Sequence, residues 1–235
     1  MNFHNFSVLT FDCYGTLINW EAGLRDAFDK VFGARGIEVD HEKLLSEFAR
    51  YEAEAEHGPF MEYKAVLQSV LGSIGKLYGF SPTREELDAF ALSVGDWPPF
   101  PDSGDALRAL KRRFKLVVIS NVDDDLFARS AAKLGVTFDH VITAQQVRSY
   151  KPSHNNFHRA LERIGVPKER VLHIAQSLYH DVAPAKALGF SAVWVNRRGK
   201  SGGATPDADA RPDLIVPDLA TLAGLLLAEV RLPAQ

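Results

Sequence analysis

Four separate segments of this sequence carry side chains that could form a catalytic site, and their key residues are Asp12, Ser120, Asn121, Lys151 and Asp181. A carboxylate such as Asp12 can attack an electrophile and form a covalent ester, and a nearby lysine favours the ionised, reactive form of that carboxylate. Ser120 and Asn121 can hydrogen-bond a ligand anion. A second carboxylate can position or activate the water that later cleaves an ester. The residue types therefore indicate nucleophilic catalysis by Asp12.

Short apolar runs predict the elements that must position these residues. β-rich runs occur at residues 6–11, 115–119, 140–143, 171–175, 191–195 and 214–216. Segments with helical periodicity separate most of them, at residues 103–113, 125–134, 155–164 and 182–188. Strands that alternate with helices of about ten residues are typical of βαβ units. Ligands of such parallel sheets bind beyond the carboxyl ends of the strands, which is where the candidate residues lie.

Residues 20–97 break this alternation, because they contain several helical patterns and no convincing strand. The segment ends in the proline cluster of residues 97–101, where a helix must stop. We interpret it as a helical insertion that can lie over the site as a cap. The predicted organisation is a core of residues 1–18 and 100–235 with a cap of residues 19–99, and a flexible loop is predicted at residues 199–204.

Composition narrows the class of protein. The formal net charge is -3 without a basic stripe, so nucleic acid is a poor candidate for a partner. No apolar run approaches the roughly 20 residues that a membrane span needs, and the N-terminal residues do not resemble a signal peptide. Cys13 is the single cysteine, which excludes an internal disulfide and fits a reducing compartment. We therefore expect a cytoplasmic protein with no membrane or nucleic-acid partner, and the sequence leaves a homodimer open.

The candidate residues belong to motifs that resemble the four motifs of the haloacid dehalogenase superfamily. In chain order these are Phe11-Asp12-Cys13-Tyr14-Gly15-Thr16-Leu17, Ile119-Ser120-Asn121, Tyr150-Lys151-Pro152 and the terminal Asp181 of residues 175–181. The first motif alone would be weak evidence, but four in order are strong evidence. The resemblance covers essentially the whole chain. It implies an α/β fold with a Rossmann-like parallel sheet core, an inserted helical cap domain and Asp12 as the nucleophile.

The same resemblance assigns roles to the other motif residues. Thr16, Lys151 and Asp181 join Asp12 as catalytic residues. The residues assigned to substrate binding in these motifs are Cys13, Tyr14, Ser120, Asn121, Gln176, Ser177, Tyr179 and His180.

Two positions argue against the magnesium-dependent phosphatases of the superfamily. Those enzymes carry D-x-D in the first motif, and in this chain Tyr14 occupies the position of the second aspartate. They also carry an acidic residue near the start of the fourth motif. In this chain the fourth motif, residues 175–181, has Asp181 as its only carboxylate. Mg²⁺ prefers charged oxygen ligands. We therefore expect no metal and no cofactor.

The first motif, D-x-Y-G-T, instead resembles the L-2-haloacid dehalogenases. In those enzymes the aspartate displaces a halide from the α-carbon of a short acid, and water then hydrolyses the ester without a metal. A cap arginine of that family binds the substrate carboxylate, and the resemblance gives this role to Arg50. The expected substrate is a small 2-substituted carboxylic acid, with 2-haloacids as the leading class.

The later motifs depart from the dehalogenase pattern. A serine and an asparagine of its fourth motif fall on Gln176 and Leu178, and a tyrosine beyond the lysine falls on Phe157. The ending Ser177-Leu178-Tyr179-His180-Asp181 resembles more closely a dehalogenase relative that opens the C–N bond of azetidine-2-carboxylate, in which Tyr179 or His180 could manage the proton of the amine. A small-molecule phosphatase and a non-catalytic ligand-binding protein are the further alternatives.

Overall fold

The apolar runs form a parallel sheet in a computed structural model, which describes residues 1–199 and 208–228. The strands are β1 (Val8–Phe11), β2 (Lys115–Ser120), β3 (His140–Thr143), β4 (Val171–Ala175), β5 (Ser191–Val195) and β6 (Leu214–Val216). They lie in the order β3-β2-β1-β4-β5-β6, and every pairing is parallel. The predicted α/β fold with a parallel sheet core is confirmed.

The central position of β1 follows from its composition. All four of its residues are buried, as expected for a parallel strand with both faces covered. Alternate residues point to opposite faces, so Leu9 and Phe11 join one hydrophobic cluster and Val8 joins the other. Because β1 lies between β2 and β4, the residues after these three strands meet at one edge of the sheet.

Within residues 20–97 the chain forms four helices, where the sequence predicts several helical segments. They are α1 (Trp20–Gly33), α2 (His41–Glu56), α3 (Tyr63–Leu77) and α4 (Arg84–Leu92), followed by a short 3-10 turn at Ser93–Asp96. Residues 20–97, which the structure describes completely, contain no strand. Aromatic contacts hold the insertion together, since the ring of Phe28 lies 5.0 Å from that of Phe90 and 6.2 Å from that of Phe48. The exact division into core and cap stays a prediction.

The remaining helices cover the two faces of the sheet. They are α5 (Ser103–Lys111), α6 (Asp124–Leu134), α7 (Ala144–Val147), α8 (His154–Ile164), α9 (Ala183–Ala187) and α10 (Leu219–Ala228). The helix expected at residues 182–188 differs, because a π-helical turn at Leu178–Val182 precedes the shorter α9. This turn places Asp181 in the middle of an element rather than at its start.

The fold does not decide three predictions, namely the loop at residues 199–204, the cytoplasmic location and the homodimer. The loop predicted at residues 199–204 lies outside the described residues from position 200 onward. No helix within residues 1–199 and 208–228 has the length and apolar character to span a bilayer. A cytoplasmic location and a homodimer stay predictions.

Candidate active site

The nucleophile candidate Asp12 lies at the carboxyl end of β1 and is only 6% exposed. The chain turns sharply after it, and the amide of Gly15 donates to the carbonyl of Ile18 at 2.8 Å. Gly15 has φ of +99°, and a Cβ there would lie 2.9 Å from Oε1 of Gln176. Only glycine fits both the backbone conformation and the close approach. The turn therefore explains why the first motif contains this glycine.

Lys151 joins the carboxylates of Asp12 and Asp181, the two candidate catalytic acids. Its Nζ donates to Oδ1 of Asp12 at 2.8 Å, to Oδ1 of Asp181 at 2.7 Å and to the carbonyl of Ile119 at 2.8 Å. An ammonium has three donors, so all of them are used within the protein. Lys151 is 2% exposed. It therefore holds the carboxylates in place and has no donor left for a substrate anion in this arrangement.

Thr16 fixes the second oxygen of Asp12, because its hydroxyl donates to Oδ2 at 2.7 Å. The Thr16 Oγ1 in turn accepts from the backbone amide of Gln176 at 2.9 Å. Each carboxylate oxygen of Asp12 thus receives one donor and keeps further lone-pair capacity. The result is a carboxylate held in one orientation that can still attack.

The pKa values of the two carboxyl groups are shifted in opposite directions, although Lys151 lowers both. Burial raises the pKa of Asp12 more than Lys151 lowers it, and the neighbouring Asp181 raises it further. Burial also disfavours ionisation of Asp181, but Lys151 and a hydrogen bond from His173 outweigh it and lower its pKa. Burial alone would lower the pKa of Lys151, yet the two carboxylates raise it above its usual range. Paired acids with separated pKa values are typical of sites that assign different roles to each.

His173, which the sequence analysis did not single out, positions Asp181. Its Nε2 lies 3.0 Å from Oδ1 of Asp181, and its Nδ1 lies 2.9 Å from the hydroxyl of Thr10. An ionised Asp181 can only accept, so Nε2 donates to it, while the hydroxyl of Thr10 lies between Nδ1 and the carbonyl of Leu172, to which it donates at 3.5 Å. The ring packs edge-on against Phe157, with centroids 5.1 Å apart. Phe157 therefore supports the histidine from the core.

A cavity opens in front of these groups. Nine of the residues assigned from the sequence line it: Asp12, Tyr14, Ser120, Asn121, Lys151, Gln176, Ser177, His180 and Asp181. Seven residues that the sequence analysis did not assign complete the wall: Trp20, Ala49, Glu52, Ala53, Glu56, Tyr63 and Trp97. All seven come from the helical insertion or its end. The insertion therefore forms one wall of the cavity and the strand ends form the other.

Arg50 does not line the cavity in this structure, so its role in holding a substrate carboxylate stays a prediction that the geometry does not support. Its guanidinium is about half exposed and pairs with Glu47 at 2.6 Å and Glu54 at 2.9 Å. It also stacks over the ring of Tyr51 at 3.9 Å. The residues of α2 that face the cavity are numbers 49, 52, 53 and 56, and position 50 lies on a different side of a helix with 3.6 residues per turn.

Three other assigned residues lie near the cavity without lining it. Thr16 acts through Asp12, as described above. Cys13 is fully buried, and burial raises the pKa of its thiol well above the usual range, which disfavours the reactive thiolate. Tyr179 stacks edge-on against His180, with centroids 5.0 Å apart, and burial lowers the pKa of that histidine to about 4.

Asn121 binds protein groups as well as facing the cavity. Its Oδ1 accepts from the amide of Lys151 at 2.7 Å, and its Nδ2 donates to the carbonyl of Lys151 at 3.1 Å. These two bonds fix the backbone that carries the lysine. Asn121 therefore positions Lys151.

Two acidic residues of α2 that the sequence analysis did not assign line the cavity. The carboxylate of Glu52 accepts from the hydroxyl of Tyr63 at 2.5 Å, and that of Glu56 accepts from Nδ2 of Asn121 at 3.4 Å. Burial raises the pKa of Glu52 to about 7 and raises that of Glu56 well above its usual range. The wall that was expected to carry an arginine carries these acids instead.

Comparisons with known proteins agree with this architecture. A family model for haloacid dehalogenase-like hydrolases matches residues 6–189. An (S)-2-haloacid dehalogenase of Pseudomonas putida is 24% identical over 95% of this chain and 97% of its own length. The solved structure of the L-2-haloacid dehalogenase from Xanthobacter autotrophicus has a TM-score of 0.79 at 25% identity and covers 94% of this chain and 98% of its own. Another solved structure of that enzyme, at 24% identity, a TM-score of 0.79 and the same coverages, has chloropropionic acid covalently bound.

The fold, the cavity and these matches define the class of the protein as a hydrolase with an α/β core. The family model covers well over half of the chain, and the chain therefore belongs to the haloacid dehalogenase-like hydrolase family.

Proposed function

We propose that this chain is a metal-independent hydrolase that uses Asp12 as a nucleophile on a short 2-substituted carboxylic acid. The observation that carries the proposal is the arrangement of Asp12, whose two oxygens are held by Lys151 and Thr16 at the wall of the cavity. A carboxylate fixed in this way can approach a carbon centre in line with a leaving group.

The reaction has two steps. An oxygen of Asp12 attacks the α-carbon, a C–O bond forms, and the leaving group departs with the electron pair of its bond. Water then attacks the carbonyl of the resulting ester and gives a proton to Asp181, whose Oδ2 has no partner among the described residues. The bond between this carbonyl carbon and the ester oxygen breaks, the departing alkoxide takes the proton from Asp181, and the carboxyl group of Asp12 releases its remaining proton to solvent. The products are a 2-hydroxy acid and regenerated Asp12.

The leading substrate class is the 2-haloacids, because several relatives are 2-haloacid dehalogenases. The second candidate is ring opening of azetidine-2-carboxylate, in which the leaving group is an amine. The acidic wall of Glu52 and Glu56 favours this candidate, since a nitrogen substrate can carry a positive charge.

A single turnover in H₂¹⁸O, with enzyme in excess, tests the nucleophile. The ester mechanism transfers an oxygen of Asp12 to the product, and water refills the carboxylate. Mass spectrometry should therefore find the label in the peptide that contains Asp12 and mostly unlabelled hydroxyl in the product. Label in the first-turnover product with an unlabelled peptide would instead make Asp12 a general base. Asp12→Asn should abolish turnover, because an amide is a poor nucleophile.

Chelation tests the absence of a metal requirement. We expect EDTA to leave the activity towards 2-haloacids or azetidine-2-carboxylate unchanged, because Tyr14 and Gln176 stand where magnesium phosphatases of the family carry acids. The side chain of Tyr14 is a phenol rather than a carboxylate, and its hydroxyl lies 3.0 Å from the hydroxyl of Ser130. Activity that EDTA removes and Mg²⁺ restores would refute metal independence, and p-nitrophenyl phosphate in the same panel reports a phosphatase.

A further inference from the structure

The charges around the cavity do not suit a simple anion. Among the described residues, four carboxyl side chains line it, namely Asp12, Asp181, Glu52 and Glu56, while its one lysine already donates to Asp12, Asp181 and a carbonyl. Burial lowers the pKa of the remaining basic group, His180, to about 4, so it is neutral near pH 7. A substrate carboxylate would therefore meet no free cation.

Both glutamates of this wall belong to one face of α2, because residues four apart on a helix are neighbours. Glu52 accepts from the hydroxyl of Tyr63 and Glu56 from the amide of Asn121. Each carboxylate has capacity for further donors beyond its one bond. In contrast, Glu47 and Glu54 of the same helix are satisfied by Arg50 outside the cavity. Among the described residues, neither acid at the cavity forms an ion pair of its own, although the charge of Lys151 partly offsets the rise in the pKa of Glu56.

Unpartnered polar atoms show independently that the cavity is built for a polar ligand. Ser120 is fully buried and lines the cavity, and its Oγ has no hydrogen-bond partner among the described residues. Oδ2 of Asp181 is also buried and has no hydrogen-bond partner among the described residues. A buried polar group without a partner is costly. A ligand that carries polar groups would satisfy them together with the glutamates.

We propose that Glu52 and Glu56 bind a positively charged nitrogen of the substrate, so that the preferred substrate is a short 2-substituted carboxylic acid that also carries an ammonium group. This inference rests on the proposed function for the carboxylic acid part and favours its second candidate, a nitrogen substrate, over the 2-haloacids. The recognition of the nitrogen stands on the wall itself. Charged hydrogen bonds from an ammonium to the two carboxylates supply the specificity. Acids that lack the nitrogen cannot form these charged hydrogen bonds, so the wall would discriminate against them.

The acidities of the two glutamates agree with this role. Burial and the proximity of the two acids raise the pKa of Glu56, and burial raises that of Glu52. An ammonium that binds between them supplies the charge that favours their ionised forms. The ammonium of the substrate thereby takes the place of the protons that Glu52 and Glu56 hold when the cavity is empty.

Binding of small probes to the wild-type enzyme tests the inference without requiring turnover. The probes for isothermal titration calorimetry are pyrrolidine, which is a cation near pH 7, cyclopentanecarboxylate, which has the same ring size and a negative charge, and L-proline, which has both groups. We expect pyrrolidine and L-proline to bind more tightly than cyclopentanecarboxylate. Glu56→Gln and Glu52→Gln should each weaken pyrrolidine by about tenfold or more, as expected for a lost charged hydrogen bond.

Glu54→Gln is the matched control, because it removes the same charge from the same helix outside the cavity. It should leave pyrrolidine binding unchanged. Tighter binding of cyclopentanecarboxylate than of pyrrolidine to wild type would overturn the inference, as would the absence of measurable pyrrolidine binding. Equal pyrrolidine affinity in wild type and the two cavity variants would overturn it as well. A failed ¹⁸O experiment would refute the nucleophile and leave these binding results intact.

Discussion

Lys151 is the residue on which the candidate site depends most. It is buried between Asp12 and Asp181 and donates to both. A buried ion pair contributes little net stability when complete, but removal of one partner leaves an uncompensated buried charge. The same side chain thus supports the fold locally and favours the ionised state of Asp12, the proposed nucleophile.

Lys151→Met should abolish turnover and lower the free energy of unfolding by about 3–5 kcal/mol at neutral pH. Without the ammonium, the pKa of Asp12 in the folded state should rise still further above its unfolded value, and that of Asp181 should rise from below to above its unfolded value. The folded state then binds more protons as the pH falls, so the stability deficit should shrink in acid. Urea unfolding of wild type and variant at pH about 7 and about 5 measures this change.

Lys64→Met is the control for this prediction, since Lys64 pairs with the largely exposed Asp125 at 2.9 Å. Exposed pairs contribute little, so this variant should lose much less stability at neutral pH. Equal losses in both variants, or a deficit of Lys151→Met that does not depend on pH, would contradict the role of Lys151.

At the scale of elements, the orientation of α2 decides which of its side chains meet the substrate. Its cavity face carries two alanines and two glutamates, at positions 49, 52, 53 and 56. Arg50 is turned towards Glu47 and Glu54. The helix therefore presents acids, and the arginine stabilises its outer surface.

Arg50→Ala should leave kcat/KM unchanged within error for any substrate that the enzyme turns over, because the guanidinium does not line the cavity. Steady-state kinetics of the variant beside Glu56→Gln, which changes the cavity wall on the same helix, measures the contrast. A loss of tenfold or more in Arg50→Ala alone, as expected for a lost charged hydrogen bond, would show that α2 rotates to bring Arg50 to the substrate.

Sequence patterns predicted the strands better than they predicted the cavity. Apolar runs placed Asp12 and Ser120 at strand ends, and the parallel sheet brought them together. Helical periodicity located α2, but it does not say which face docks against the sheet, so Glu52 and Glu56 were missed. His173 was missed because it lies inside the apolar run of β4. The π-helical turn around Asp181 has no periodic signature of its own.

At the scale of the whole molecule, the helical insertion is tied to the sheet beside the cavity. Asp123 follows β2, and its carboxylate accepts from the backbone amides of Tyr63 and Lys64 at 2.8 and 3.0 Å. These amides begin α3, where the helix dipole favours a negative charge. The hydroxyl of Tyr150 adds a bond to the carbonyl of Met61 at 2.9 Å.

This junction also positions the acidic wall. Tyr63, whose amide binds Asp123, donates its hydroxyl to Glu52. On the other side of the insertion, Trp97 lies edge-on to Tyr14 with centroids 5.5 Å apart. Trp97 can approach α1 because position 23 is glycine, where a Cβ would lie 2.1 Å from the indole ring. Contacts between the sheet and the insertion therefore hold the cavity walls in place on two sides, at Tyr63 and at Trp97.

Asp123→Ala should destabilise the protein and weaken substrate binding together. It leaves two amides of α3 without their acceptor, and an unsatisfied buried donor costs about 1–3 kcal/mol. The displaced Tyr63 and Glu52 should raise KM more than they lower kcat, because neither touches Asp12. Urea unfolding and steady-state kinetics measure the two effects. Asp125→Ala, which removes an exposed carboxylate two residues further on, is the control, and equal behaviour of the two variants would contradict the junction.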